Sequence, residues 1–240
     1  MLKNICKWDM NETIYNNIDA IVNENATLIA GRPGSGKSVL TSAMLLRLTG
    51  YDPTLINIII FDLKRVEMAR WEDFPHIKGV VTEPEDVNEM FDSIIETMNN
   101  RYRDMKRRKL LQSDHRLIYV IIDELAQVLR VKGAEERIDE LLRLARAANI
   151  RLVMATQNPS RSNIPACIQQ NVACAVGLRC RNAIESRQII GVKGCETLPR
   201  YGKAYVETAD GLFLIDIPFV TNEEIEEQLN YWKPGCRCYA

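Results

Sequence analysis

ATLIAGRPGSGKSVL, residues 26–40, is the stretch on which the fold turns. A short apolar run, Ala26–Ala30, enters a glycine-rich turn. Leu40, Met44 and Leu48 then recur at helical spacing through Ser38–Leu48. Between strand and helix, Gly31-x4-Gly36-Lys37-Ser38 has the spacing of a phosphate-cradling P-loop. Its glycines let backbone N–H groups turn inward around a phosphate, and the helix N-terminus adds its positive dipole end. Gly31, Arg32, Pro33, Gly34, Ser35, Gly36, Lys37, Ser38 and Val39 are therefore the expected nucleotide-binding residues. Lys37 is placed to reach the β- and γ-phosphate oxygens, and Ser38 to offer a hydroxyl to Mg²⁺.

Working outward, strand and helix signals alternate. Ile56–Asp62 and Leu117–Asp123 are β-branched runs buried on both faces, as parallel strands are. Ile77–Thr82, Leu152–Ala155 and Ala173–Leu178 read as further strands. Residues 84–109 carry one apolar stripe through Val87, Phe91, Ile94, Met98 and Met105, which predicts a long core-facing helix. Its end, RYRDMKRRK, is strongly basic and reads first as a solvated face at a helix C-terminus. Ala134–Ala148 is helical, with Asn149 as its C-cap. Ala204–Thr208 and Leu212–Ile217, joined by Ala-Asp-Gly, form a hairpin, and Thr221 caps a short acidic helix through Leu229. This pattern predicts an α/β fold: a mostly parallel central sheet, helices on both faces, and a C-terminal antiparallel edge hairpin. Residues 1–25 read as a polar lead-in and 26–240 as one domain.

A P-loop needs an acidic partner. Asp123 ends an apolar strand, where the ligand crevice of an open α/β sheet lies, and is expected to hold Mg²⁺ through water. Glu124 follows it and is placed to orient and deprotonate an attacking water. Asp-Glu after an apolar strand, with no guanine-reading NKxD motif, points to an ATPase with ATP and Mg²⁺ as cofactors. Gln157, at the end of the Leu152–Thr156 run, either bonds the γ-phosphate or its water, or is a satisfied turn residue.

Composition narrows the class. The chain has 240 residues and a formal charge of −1, so it is no basic nucleic-acid glue overall, and any such contact must come from local patches or assembly. No apolar run reaches the ~20 residues that span a bilayer, and the N-terminus lacks an apolar signal core. The expectation is a cytoplasmic chain without membrane insertion. The cysteines are scattered, and Cys236 and Cys238 are too close for a common zinc half-site. They read as reduced thiols, with metal binding by Cys174, Cys180 and Cys195 as the alternative.

Several blocks, in order, resemble the FtsK/SpoIIIE group of ATPases and the related HerA-type motors: GRPGSGKS, IIIFDLKRVEMARWEDFPHIKGVVTEPEDV, RYRDMK, VIIDELAQVL, LARAANIRLVMATQNPS and IESRQIIG. The resemblance runs from Ala26 to Tyr205. It implies a RecA-like motor domain that works as a hexameric ring, a homo-oligomer, around double-stranded DNA. The Gln157 strand would lie between the P-loop strand and the Asp123 strand. Arg146, in the ARA segment, would be the arginine finger that enters a neighbour's site; such fingers raise rates roughly 10³- to 10⁵-fold in GTPase systems. DNA contacts would come from the loop with Asn158, Ser160, Arg161 and Ser162, and from Arg179, Arg181 and Asn182. Phosphate tracking suits such small polar and arginine groups.

The chain departs from the resembling family in three ways. Asn158 stands where the family has an arginine after Thr-Gln. The segment between RYRDMK and the Asp123 strand is short. Membrane anchor, preceding α domain and winged-helix domain are not expected. The implied function is an ATP-hydrolysing ring motor that translocates double-stranded DNA. A protein-secretion or conjugation coupling ATPase shares every nucleotide residue, and a slow nucleotide-dependent assembly protein is a third reading.

Overall fold

The computed structural model describes residues 12–65, 67–157 and 164–233. Eight strands form one sheet: β1 (Ala26–Ala30), β2 (Ile56–Phe61), β3 (Ile77–Val81), β4 (Leu117–Ile122), β5 (Ile150–Thr156), β6 (Cys174–Gly177), β7 (Lys203–Thr208) and β8 (Gly211–Asp216). Their spatial order is β3-β2-β4-β5-β1-β6-β7-β8. Strands β3 to β6 along that order pair in parallel, and the β6–β7–β8 edge is antiparallel. β5 thus sits between β1 and β4, as the resemblance implies.

Alternation within the strands builds two core layers. In β4, Leu117, Tyr119 and Ile121 face one layer, while Ile118, Val120 and Ile122 face the other. Side chains of a strand point to opposite faces in turn, so a run that is apolar throughout demands cover on both sides. The first layer lies under α1 (Glu12–Val22), α2 (Lys37–Thr49) and α8 (Asn222–Trp232). The second lies under α3 (Val87–Arg108), the single turn α4 (Leu125–Val128), α5 (Ala134–Leu144) and α6 (Ala166–Asn171). α7 (Ala183–Ile190) packs on β6.

α2 is buried from Leu40 to Thr49, so its last carbonyls cannot turn to water and must find partners inside. α8 supplies them: Gln228 Nε2 donates to Leu46 O at 2.8 Å, and Trp232 Nε1 to Thr49 O at 2.8 Å. α8 is itself started by a reciprocal cap between Thr221 and Glu224. This clamps the P-loop helix from its far end.

The structure corrects several expectations. Residues 1–25 contain α1, whose Ile18, Ile21 and Val22 are buried in the core. Tyr119 OH and Arg151 Nη1 both donate to Val22 O, at 2.8 and 2.7 Å, and hold the end of this helix to the sheet. The long helix starts at Val87, after a 3-10 turn, Pro84–Asp86, because proline suits a helix start. α5 stops at Leu144 rather than Ala148, and Asn149, at φ 58°, makes the left-handed exit. The basic end of α3 is a solvated face, as the sequence reading expects: Arg107 and Arg108 pair with Asp104 and Asp114. No helix among the described residues is long and apolar enough to cross a membrane.

Candidate functional site

The carboxyl ends of β1, β2, β4 and β5 meet at one edge of the sheet. β1 delivers the loop Gly31–Gly36. Gly36 has φ 95° and Gly34 φ 72°, left-handed values that other residues rarely adopt. Gly31 answers a different need: a Cβ there would lie 2.6 Å from both Leu178 Cβ and Ser35 Oγ. The loop is also pinned from below, as Gly31 N–H donates to Thr156 O and Arg32 N–H to Arg179 O. It opens on a cavity of about 280 Å³ lined by Arg32, Gly34, Gly36, Lys37, Ser38 and Gln157, among others.

Lys37, Asp123 and Glu124 come together in the wall of this site. The Lys37 ammonium donates to Asp123 O at 2.6 Å and lies 3.7 Å from Asp123 Oδ1 and 3.5 Å from Glu124 Oε2. Burial pushes the Asp123 carboxyl above its ordinary range, with Lys37 opposing. Burial also acts on Glu124, but Lys37 and then Lys64 outweigh it and hold that carboxyl below its ordinary range. Glu124 Oε1 accepts the Gln157 N–H at 3.2 Å, so the predicted water-orienting acid and the predicted sensor residue are in direct contact.

Asp123 is 1% exposed, and neither carboxylate oxygen has a hydrogen-bond donor among the described residues. A buried carboxylate without hydrogen-bond donors is costly; Lys37 and Lys64, at 3.7 and 3.8 Å, offset part of that cost, and a hydrated divalent cation beside it would offset more. The hard oxygen donors of Asp123 and Ser38 fit Mg²⁺.

Residues 6–116 match the FtsK/SpoIIIE family. The DNA translocase FtsK of Tropheryma whipplei is 32% identical over 86% of this chain. In sequence the chain resembles the FtsK/SpoIIIE family.

It spans only 31% of that FtsK relative's length. Two solved structures share its P-loop ATPase fold. The type VII secretion ATPase EccC of Thermomonospora curvata has a TM-score of 0.76, is 21% identical, and aligns over 85% of this chain and 28% of its own. The conjugation coupling protein TcpA of pCW3, a monomer form with ATPgS, has a TM-score of 0.74, is 21% identical, and aligns over 88% and 66%.

Other FtsK/SpoIIIE-like positions fall away from the cluster. Arg146 is exposed in the turn after α5, and its side chain has no hydrogen bond or ion pair with another described residue. Arg179 lies against the phosphate loop through its carbonyl, and its Nε has no partner among the described residues. Arg181 is exposed and faces Glu185 at 4.0 Å. Asn182 is not a free grip residue: its side chain caps α7, accepting from Ile184 and Glu185 N–H. Asn158, Ser160, Arg161 and Ser162, like Cys236 and Cys238, lie outside the described residues. Cys174, Cys180 and Cys195 do not gather into a metal-ligand group among the described residues. Burial pushes Cys174 up to about 12 and Cys195 up to about 11, so both are inert thiols at neutral pH.

Sequence reading missed Lys64. Its ammonium is 3.1 Å from Glu124 Oε2 and 3.8 Å from Asp123 Oδ2. Asp62 builds the turn that presents it, accepting the backbone N–H of Lys64, Glu67 and Met68. Lys64 stands just past the carboxyl end of β2, which is where ligand-facing residues of such sheets sit. That position was the available signal.

Proposed function

We propose that residues 26–240, with α1 packed into the same core, form one motor domain that hydrolyses ATP and uses the energy to move double-stranded DNA through a hexameric ring. The observation that carries this reading is the contact chain Lys37–Glu124–Gln157, at 3.5 and 3.2 Å, at the mouth of a P-loop. It joins a phosphate-binding lysine, a water-orienting acid and the exit of a neighbouring strand. The related FtsK, named a DNA translocase, supports DNA as the polymer moved.

Ser38 and Asp123 would hold Mg²⁺, which would supply positive charge to offset the negative charge of the triphosphate. Each side chain then has one task. Lys37 exchanges Asp123 O for phosphate oxygens. Glu124, freed from Lys37, orients the water and takes its proton. Gln157 reports the change to the loop that follows it. Arg146, exposed and without a side-chain partner among the described residues, reaches a neighbouring protomer's site as its finger. Arg161, Arg179 and Arg181 contact the DNA phosphates. The chain is cytoplasmic on this reading.

The test is ATP turnover of the full chain with and without duplex DNA across a salt series, with native mass measured alongside. Duplex DNA should raise turnover at low salt, and ATP with DNA should yield a six-fold mass. Arg181→Ala should flatten the salt dependence of DNA binding, and Glu124→Gln should trap the assembled, ATP-bound form. No stimulation by DNA, with turnover intact, would transfer the assignment to a polypeptide-handling or coupling ATPase.

A further inference from the structure

A second cavity adjoins the phosphate cradle and has no place in the chemistry above. It measures about 410 Å³ and is lined by Gly36, Val39, Tyr201, Gly202, Ile217 and Phe219. Gly36, Val39 and Tyr201 also line the phosphate cavity, so the two share a wall. A ligand whose phosphates lie at Lys37 has Tyr201, Ile217 and Phe219 beside its other end.

The walls suit a flat aromatic ring. Tyr201 is 55% exposed and Phe219 is 74% exposed, large apolar surfaces left open among the described residues. Both are nevertheless held in place. The Arg200 guanidinium stands over the Tyr201 ring, 5.0 Å from its centre, and Tyr201 Cδ1 is 3.9 Å from where a Gly36 Cβ would be. Phe219 lies two residues before Thr221, which is locked in the reciprocal cap of α8. Of the six lining residues, two are glycines, and only Tyr201 bears a polar side-chain atom. Stacking holds any base, because every base has a π-face. Discrimination of several orders of magnitude between bases needs groups that hydrogen-bond the edge, and the Tyr201 hydroxyl is the one side-chain group of that kind among these lining residues.

We propose that Tyr201 and Phe219 form a nucleoside pocket that holds the base of the bound triphosphate by stacking and leaves its edge unread, so that adenine and guanine nucleotides are accepted alike. The proposal rests on the phosphate-site assignment made above and adds a ligand class, purine nucleoside triphosphates, to it.

The experiment uses the full chain and three probes: mant-ATP, mant-GTP and inorganic tripolyphosphate as competitor. The two nucleotides should bind within about tenfold of each other. Tyr201→Ala and Phe219→Ala should each weaken both nucleotides by roughly ten- to a hundredfold, and Phe219→Ala, at a residue outside the phosphate-cavity lining, should leave tripolyphosphate affinity unchanged. Tyr201→Phe should retain the parent affinity, since the ring and not the hydroxyl does the holding. Both side chains are exposed, so the variants should fold. A preference above a hundredfold for either base overturns the proposal. So does unchanged nucleotide affinity in the double alanine variant with tripolyphosphate binding intact; if that variant instead changes the oligomeric state, a second copy of the chain covers the aromatics. Failure of the parent chain to bind tripolyphosphate at all refutes the phosphate-site assignment, and the pocket falls with it.

Discussion

Replacing Lys64 by methionine keeps the length of the side chain and removes its charge. Lys64 Nζ lies 3.1 Å from Glu124 Oε2. At an effective dielectric of about 20, unit charges ~3 Å apart attract by about 5 kcal/mol. Three things reduce this. Dehydration of the pair opposes it, Lys64 keeps 24% of its side chain exposed, and Lys37 remains 3.5 Å from the same oxygen. The expected loss of stability is about 2 kcal/mol, or roughly 4–8 °C in Tm for a chain of this size. It should also depend on pH in a defined sense. Burial alone would raise the Glu124 carboxyl, but Lys37 and Lys64 hold it below its usual 4.5. A depressed folded value gives stability that is complete above the unfolded value and lost as pH falls through the folded one. Urea unfolding of the nucleotide-free chain should therefore show the full gap near pH 7.5 and a shrinking one below about pH 4. Equal stability of parent and variant, or a gap of constant size across that range, refutes the ion-pair reasoning.

Arg101 gives the opposite pH signature. Its buried guanidinium donates to the carbonyls of Ala148, Asn149 and Arg116 at 2.7, 3.1 and 2.8 Å, so Arg101→Met should cost about 3 kcal/mol by urea unfolding, with no change between about pH 5 and 9 because carbonyls do not titrate. His76 is fully buried, and burial pulls it down to about 4; the folded state resists its protonation, so stability should fall as pH drops from 6.5 towards 4. His76→Gln should remove about 3 kcal/mol of that fall, and acid unfolding curves that superimpose would contradict this. Gly31→Ala forces a methyl group against Leu178 and Ser35 at 2.6 Å; tripolyphosphate affinity, read by calorimetry, should drop at least roughly tenfold, with a destabilisation of about 1–3 kcal/mol.

The phosphate loop is legible in the sequence because its parts are contiguous. Strand, turn and helix occupy residues 26–49, and their geometry follows from local spacing alone. β4 and Asp123 are legible for a similar reason, since an apolar run buried on both faces ends at an acid. Lys64 is not, because its charge partner is 60 positions away and a lone lysine after a strand carries no local pattern. The nucleoside-side walls are hidden in the same way: Tyr201 and Phe219 meet Gly36 only through the sheet order. α1 shows a different failure. Ile18, Ile21 and Val22 do follow helical spacing, but in a polar setting the stripe spans a single turn, and tertiary packing rather than propensity decides it. Asn182 reads as a loop amide because an N-cap and a ligand contact use the same short polar side chain.

The two oxygens of Glu124 serve three segments at once: the P-loop lysine, the turn after β2 and the amide where β5 ends. Such a carboxylate acts as a knot, and a single event that draws Lys37 away loosens strands that are not neighbours in the chain. The Gln157 amide proton is the strand end most simply followed. Its exchange with solvent should be slow while the knot is tied and quicken when phosphate takes the lysine, which makes one backbone position a gauge of the whole edge.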